Sequence, residues 1–272
     1  MKRRFSGNQN NGASYSVGII CAVLSAAVMA AALIFPKFYF LAYMGLVPLV
    51  CAVTDQRPAY KLQIGLLTGV LYYATALVWV YAFGVKLYSA AVLIEALAIM
   101  LFALCLPPKD AKLRYLFAPA LWVAVKWLFS LFSFGFTYGS FAQITSGDTY
   151  LSQSAAYIGI WGIEYVICFF NVALADFISI RRVYPIVIAL LLAAVCYQAG
   201  CIHTLKHPKE IIPEAMSYGD NRNSLSDVAR YARNKQIPRM RFESRPKEDW
   251  AAYVSVVICL TAFCLKIAQK RS

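Results

Sequence analysis

Long apolar runs fill most of this 272-residue chain, and they restrict its fold more than any other feature. Each run is roughly 17–25 residues long, the length at which a helix crosses a bilayer. Backbone groups in lipid must be satisfied within their own segment, so the runs are predicted to be helices. The predicted fold class is all-α, a polytopic membrane helical bundle of about eight transmembrane helices. The predicted spans are 16–35, 38–54, 62–84, 88–106, 115–133, 153–179, 184–203 and 251–267.

The charged residues support this class and predict an orientation. Only 14% of the residues are charged, too few to cover a soluble domain of this size. Short cytoplasmic loops of membrane proteins are rich in Lys and Arg. With the N-terminus inside, thirteen Lys and Arg fall in inside segments, and only Lys37 and Lys86 fall in short outside loops. Both termini are therefore predicted to be cytoplasmic.

One polar stretch, residues 204–249, interrupts the apolar pattern on the predicted outside. It holds ten Lys and Arg and seven Asp and Glu, and it lacks the apolar content for a sizeable core. The predicted organisation is a seven-span membrane domain at 1–203, an extracytoplasmic polar linker at 204–249, and a last span with a cytoplasmic tail at 250–272.

Several kinds of site are disfavoured by residue spacing. The eight cysteines form no C-x-x-C pair, so neither a zinc site nor a disulfide framework is indicated. His203 and His207 are four residues apart, but no third ligand is suitably spaced. No metal and no cofactor is expected. Basic residues are not interleaved with aromatics in a soluble module, so nucleic acid is not an expected partner.

Ordered motifs resemble the apolipoprotein N-acyltransferase family of bacteria. An early pair resembles the family's first hairpin, and a central set with Trp127, Gln143 and Asn171 is the most specific. The last motif resembles the opening of the family's final helix. The motifs are ALIFPK at 32–37, LVPL at 46–49, GLLTG at 65–69, WVY at 79–81, PALW at 119–122, GFTY at 135–138, GIWG at 159–162 and EDW at 248–250.

The resemblance implies lipoprotein biosynthesis, in which a phospholipid acyl chain is transferred to the N-terminal cysteine of a lipoprotein. It also implies a bacterial cytoplasmic (inner) membrane location. Family members carry a nitrilase-like domain with the catalytic Glu, Lys and Cys between the seventh and eighth spans. Here the 204–249 linker stands in that place and contains no cysteine. No catalytic residue is assigned, since Cys201 near His203 and Lys206 lacks the spacing of an activated nucleophile.

The expected function is therefore a lipid- or lipoprotein-binding membrane module that is inactive alone in acyl transfer. Its expected partners are phospholipid, a diacylated lipoprotein and a separate catalytic subunit. A non-enzymatic membrane scaffold or a degenerate remnant is the alternative. A small transporter is disfavoured, because the paired broken helices of repeat-built transporters are not evident.

Ionisable residues inside the spans are candidates for function, because charge at membrane depth is costly. Lys126 stands where the resemblance places an acidic residue, and Glu164 is predicted at a similar depth on the next span, with Glu95 nearer the outside. The pair has two interpretations. In the first, Lys126 binds a phospholipid or lipoprotein carboxylate. In the second, which is favoured, it is structural: it forms an ion pair with Glu164 inside the bundle, or its long side chain reaches to the membrane surface.

Tyr138, Gln143 and Trp161 lie on or beside the predicted outside loop at 134–152. The resemblance implies that this region faces the leaflet from which acyl chains enter, which would make it a lipid-facing groove. An interfacial aromatic belt explains Tyr and Trp equally well. The predicted lipid or substrate site therefore comprises Lys126, Tyr138, Gln143, Trp161 and Glu164.

Overall fold

The protein is an assembly of α-helices and short 3-10 helices, seen in a computed structural model that describes residues 11–111, 113–131, 138–206, 251–252, 254–259 and 261. No strand occurs among these residues, which confirms the all-α class. The α-helices are α1 (Asn11–Ile34), α2 (Val47–Val53), α3 (Pro58–Ala76), α4 (Val85–Cys105), α5 (Arg114–Ser130), α6 (Phe141–Ile144), α7 (Thr149–Gln153), α8 (Ala155–Ile180) and α9 (Tyr184–Lys206). The 3-10 helices are Pro36–Tyr43, Val78–Phe83 and Thr145–Gly147.

Five described segments are long and apolar enough to cross a membrane. They are Tyr15–Ile34, Pro36–Val53, Val85–Cys105, Ala155–Ile180 and Tyr184–Leu205. The protein is therefore a helical membrane protein, and the count of eight spans stays a prediction. The 204–249 linker lies almost wholly outside the described residues, as do parts of the predicted fifth and eighth spans.

Two predicted spans are broken by 3-10 turns. The run at 38–54 divides into the 3-10 helix Pro36–Tyr43 and α2, and Pro48 stands in the first turn of α2, where a missing N–H costs nothing. The run at 62–84 divides into α3 and the 3-10 helix Val78–Phe83, which ends at Gly84 with a φ of 118°. A positive φ is a conformation that glycine adopts without a Cβ clash.

The tightest helix pair is α3 against α4, where small residues allow the backbones to approach. A Cβ built on Gly69 would lie 2.7 Å from the Ala96 Cα, and one built on Gly65 would lie 2.7 Å from the Ala103 Cβ. Close approach through small residues is the usual basis of helix packing in membranes. The GLLTG motif therefore has a packing role. Helix α1 packs on α3, and α8 packs on α5 and α9.

One end of the bundle, called the basic end here, is fastened by ionic side chains. Arg114 is fully buried, and its Nε lies 3.1 Å from Asp176 Oδ2, while Nη2 donates to Thr54 Oγ1 over 3.0 Å. Arg114 Nη1 also donates to the Pro107 carbonyl. Lys61 Nζ donates to the Leu106 carbonyl over 3.0 Å, and Arg182 Nη1 to the Lys109 carbonyl over 3.1 Å. Three basic side chains thus hold the loop between α4 and α5.

The opposite end, called the loop end here, contains the 3-10 helices Pro36–Tyr43 and Val78–Phe83 together with residues 138–154. Short local caps shape the last segment. Ser140 Oγ accepts from Gln143 N at the start of α6, and Asp148 Oδ1 accepts from Tyr150 N and Leu151 N at the start of α7. Such side-chain caps satisfy N–H groups that have no partner within the helix.

Candidate functional site

Glu164 of α8 connects its own helix to α5 and to α6 through its two carboxylate oxygens. Oε2 accepts the indole N–H of Trp122 on α5 over 2.7 Å, and Oε1 accepts the backbone N–H of Ala142 in α6 over 2.9 Å. The Glu164 side chain is buried, with 1% of its surface exposed. Bonds from N–H groups to an ionised carboxylate are stronger than neutral ones. Glu164 therefore anchors the 138–154 segment to the bundle.

Aromatic packing and further hydrogen bonds reinforce that anchor. The Trp122 ring stacks on Phe141, with centroids 5.2 Å apart and planes at 30°, while Phe102 packs edge-on against its ring. Tyr72 OH donates to the Gly139 carbonyl over 2.5 Å, and Gly139 N donates to Gln143 Oε1 over 2.7 Å. The start of the segment is thus tied to α3, α5 and α8 at once.

Lys126 forms a buried ion pair, but its partner is Glu95, and the predicted pairing with Glu164 is wrong. Lys126 Nζ lies 2.7 Å from Glu95 Oε2 on α4 and donates to Tyr73 OH on α3 over 2.8 Å. Its ammonium also lies 5.1 Å from the centroid of the Tyr73 ring, within cation–π range. Glu164 instead accepts N–H groups from Trp122 and Ala142.

The five residues predicted for the site occupy two layers. Lys126, Glu164 and Trp161 are buried, with 3%, 1% and 4% of their surfaces exposed. Tyr138 and Gln143 are half-buried above them, and the Tyr138 ring packs edge-on against Trp79 at 5.7 Å. Glu164 and Gln143 each accept a backbone N–H of the same short segment, from Ala142 and from Gly139 respectively. Gly135, Phe136 and Thr137 of the GFTY motif, like all of the EDW motif at 248–250, lie outside the described residues.

Sequence reasoning missed three of the buried polar contacts. Trp122 was noted only as a motif residue, although an indole N–H inside an apolar run needs an acceptor. Arg114 was counted as a loop cation, and its partner Asp176 was overlooked near the end of an apolar run. Asn171 lies wholly buried, accepting from Leu46 N and donating to the Ala42 carbonyl, both over 2.8 Å. A polar residue inside an apolar run was the available signal in each case.

The thiol and imidazole nearest the predicted linker do not form a nucleophile and base. Cys201 and His203 are two residues apart on α9, and residues so spaced face different sides of a helix. His203 Nδ1 instead lies 3.0 Å from Gln153 Oε1, and its ring packs edge-on against Tyr157 at 5.7 Å. Within the described residues, no three His, Cys, Asp or Glu side chains are grouped to hold a metal ion.

The fold and the site define a helical membrane protein in which a buried polar network supports a structured segment at one end. A family model described as the apolipoprotein N-acyltransferase N-terminal domain matches residues 25–173, more than half of the chain. The chain therefore belongs to the apolipoprotein N-acyltransferase family, which confirms the resemblance inferred from the motifs.

A curated relative agrees with this assignment. The chain is 29% identical over 180 residues to the apolipoprotein N-acyltransferase of Gloeobacter violaceus, covering 59% of this chain and 34% of the relative. The chain thus spans about a third of the length of this relative. Its apolar helices and its relationship to a bacterial membrane enzyme identify it as a bacterial membrane protein related to lipoprotein biosynthesis.

Proposed function

We propose that this chain is a lipid-binding membrane module of lipoprotein biosynthesis that does not itself transfer acyl chains. The ligand is a phospholipid, or a diacylated lipoprotein, bound at the loop end. The observation that carries this proposal is the anchoring of the 138–154 segment on the buried Glu164, beside aromatic side chains that face outward. A fixed polar segment next to exposed aromatics suits a ligand with a polar head and apolar tails.

The proposed contact surface lies between residues 78–83 and Tyr138. Trp79 packs edge-on against both Tyr138 and Phe83, with centroids 5.7 and 6.3 Å apart. Tyr81 and Phe83 are 57% and 39% exposed. We assign the direct lipid contacts to this aromatic surface and to Tyr138 and Gln143.

Lys126, Trp161 and Glu164 have a different role in this proposal. Lys126 already has Glu95 and Tyr73 as partners, and freeing its ammonium for a lipid carboxylate would leave the Glu95 carboxylate buried and unpaired. These three buried residues therefore hold the contact surface in place from beneath.

The family comparison supports the part of the proposal that concerns acyl transfer. The family model that matches is the N-terminal domain, and the resemblance assigns the chemistry to a separate nitrilase-like domain. His203, two residues from Cys201 on α9, contacts Gln153 instead, and a thiol reacts as the thiolate that an adjacent base generates. Acyl transfer would then require a separate catalytic subunit as the partner of this chain.

Lipid binding is tested with the purified full chain and a photoactivatable phospholipid. Tyr138→Ala and Phe83→Ala are expected to reduce labelling several-fold. Tyr184→Ala is the matched control, since Tyr184 is an exposed tyrosine that contacts Tyr115 near the basic end. Equal labelling of all the variants and the parent would contradict the lipid site and favour a non-enzymatic scaffold or a remnant.

The absence of catalysis is tested by mass spectrometry. The protein is incubated with phospholipid and a diacylated lipopeptide, and no triacylated product is expected. A triacylated product that disappears in Cys201→Ala would overturn the proposal and identify Cys201 as a nucleophile.

A further inference from the structure

We propose that the basic end of the bundle binds the headgroup of an anionic phospholipid of the phosphatidylglycerol kind. The surface lies at the end opposite to the lipid contacts proposed above and uses none of their residues. It forms where three connections meet, between α2 and α3, between α4 and α5, and between α8 and α9. Its basic side chains, called the basic surface here, are those of Arg57, Lys109, Arg181 and Arg182.

The basic surface lies at the depth of lipid headgroups. Each connection follows a segment that is long and apolar enough to cross a membrane, and these segments end at Val53, Cys105 and Ile180. Arg57 and Lys109 each come four residues after such an end. Arg181 and Arg182 belong to the link 181–183 between two such segments, and three residues span at most about 10 Å. That link therefore stays at the membrane surface, beside the phosphate groups.

Contacts through Lys109 hold the three connections together. Its backbone N–H donates to Asp55 Oδ1 over 3.2 Å, and its carbonyl accepts from Arg182 Nη1 over 3.1 Å. Both contacts use main-chain atoms of Lys109, so neither occupies its ammonium group. The basic surface is thus fixed in place by the fold itself, and a preorganised surface loses little freedom when a ligand binds.

The charges of the three connections do not balance. Four basic side chains stand against two acidic ones, Asp55 and Asp110. Arg57, Lys109 and Arg181 form no ion pair and no side-chain hydrogen bond with the residues that the structure describes. Excess positive charge at a membrane surface attracts lipids whose headgroups carry a net negative charge. The partner that complements this surface is therefore an anionic headgroup, and a zwitterionic one fits it less well.

Arg181 is the residue of the basic surface that the fold explains least. It ends α8 with φ 58° and ψ 27°, a left-handed conformation that glycine adopts without strain and that a side chain disfavours. Its N–H donates to the Phe177 carbonyl, a bond that any residue except proline would make there. A strained residue that the local structure does not require is evidence for a functional role. An anion in the headgroup layer would give the Arg181 guanidinium a partner.

Native mass spectrometry of the purified full chain, mixed with equal amounts of phosphatidylglycerol and phosphatidylcholine, tests the proposal. The parent should retain several-fold more phosphatidylglycerol, and high salt should weaken this preference. Lys109→Gln combined with Arg181→Gln should abolish most of it, because two charges are lost while the backbone contacts of Lys109 remain. Lys37→Gln combined with Lys86→Gln removes the same charge from exposed side chains of the loop end and should keep the preference.

Further variants separate charge from backbone effects and this surface from the loop end. Arg181→Lys retains the charge and should retain the preference, and its loss there would contradict a role for that charge. Tyr138→Ala, which removes a contact proposed for the loop end, should leave the preference unchanged. The two lipid proposals can therefore fail separately. No preference in the parent, or an equal loss in the two double variants, would overturn the anionic lipid surface.

Discussion

Lys126 Nζ lies 2.7 Å from Glu95 Oε2, with 3% and 1% of the two side chains exposed, so α5 and α4 share a buried ion pair. Removing only the cation leaves the buried Glu95 carboxylate without its counter-charge. Lys126→Met is therefore expected to lower stability by about 3 kcal/mol, because breaking a buried pair on one side leaves an uncompensated charge. Adding Glu95→Gln should restore part of the loss, measured by thermal unfolding in detergent.

The matched control for this pair is the other buried ion pair. Asp176→Asn leaves Arg114 unpaired at the basic end and should be strongly destabilising alone. Because the two pairs share no partner, its cost should add to that of Lys126→Met within about 0.5 kcal/mol. Simple additivity of Lys126→Met and Glu95→Gln would instead mean that the Lys126–Glu95 contact contributes no coupling free energy.

Asn171→Leu is expected to destabilise the protein by about 3 kcal/mol, because it strands two buried backbone groups that each cost about 1–3 kcal/mol when unpaired. These groups are Leu46 N and the Ala42 carbonyl, at the junction where the 3-10 helix Pro36–Tyr43 leads into α2. Ser179→Ala changes an exposed side chain of α8, the helix that carries Asn171, and serves as the control. A loss for Asn171→Leu no larger than for Ser179→Ala would show that the amide does not fasten the junction.

Gly69→Ala is expected to cost about 1–3 kcal/mol through overpacking. The added Cβ would meet the Ala96 backbone, which belongs to α4 and cannot rotate away as a side chain would. Thr75→Ala on the exposed side of α3 should change stability by less than about 0.5 kcal/mol. Melting temperatures of the two variants, measured side by side, give the comparison. Tolerance of Gly69→Ala would mean that α3 and α4 are more loosely packed.

The predicted orientation is tested by cysteine labelling of intact cells on a cysteine-free background. An introduced cysteine at position 225 of the polar linker should react with an impermeant reagent without permeabilisation, because the loop charges place the linker outside. A cysteine replacing the exposed Asp55 at the basic end should react only after permeabilisation. The reverse pattern would invert the topology.

The sequence predicted the helices well and their interruptions poorly. The ends of α8 and α9 fall within a few residues of the predicted runs at 153–179 and 184–203, because hydropathy reports burial in lipid. The turns at Pro36–Tyr43 and Val78–Phe83 are as apolar as the helices beside them. A hydropathy pattern therefore does not distinguish a 3-10 turn from an α-helix.

The partner of Lys126 was mispredicted for a related reason. Counting residues from a helix end gives the depth of a side chain, and the depths of Lys126 and Glu164 agreed. Depth does not give the direction in which a side chain points around its helix. Trp122, one turn before Lys126, takes Glu164, and Lys126 faces α3 and α4. That rotation is set by packing among several helices and was not available from one sequence.

The three basic side chains that hold the loop between α4 and α5 give the bundle unequal stiffness along its length. At the basic end, Arg114 alone connects α2, α5, α8 and the loop, so separating any of these helices breaks charged bonds. At the loop end, the 3-10 helix Val78–Phe83 is closed by short-range bonds such as Val80 N to the Leu77 carbonyl and Gly84 N to the Tyr81 carbonyl. Amide hydrogen exchange should therefore begin at residues 78–84 and reach the basic end last. The helices would then separate first at the loop end, while the basic end stays closed.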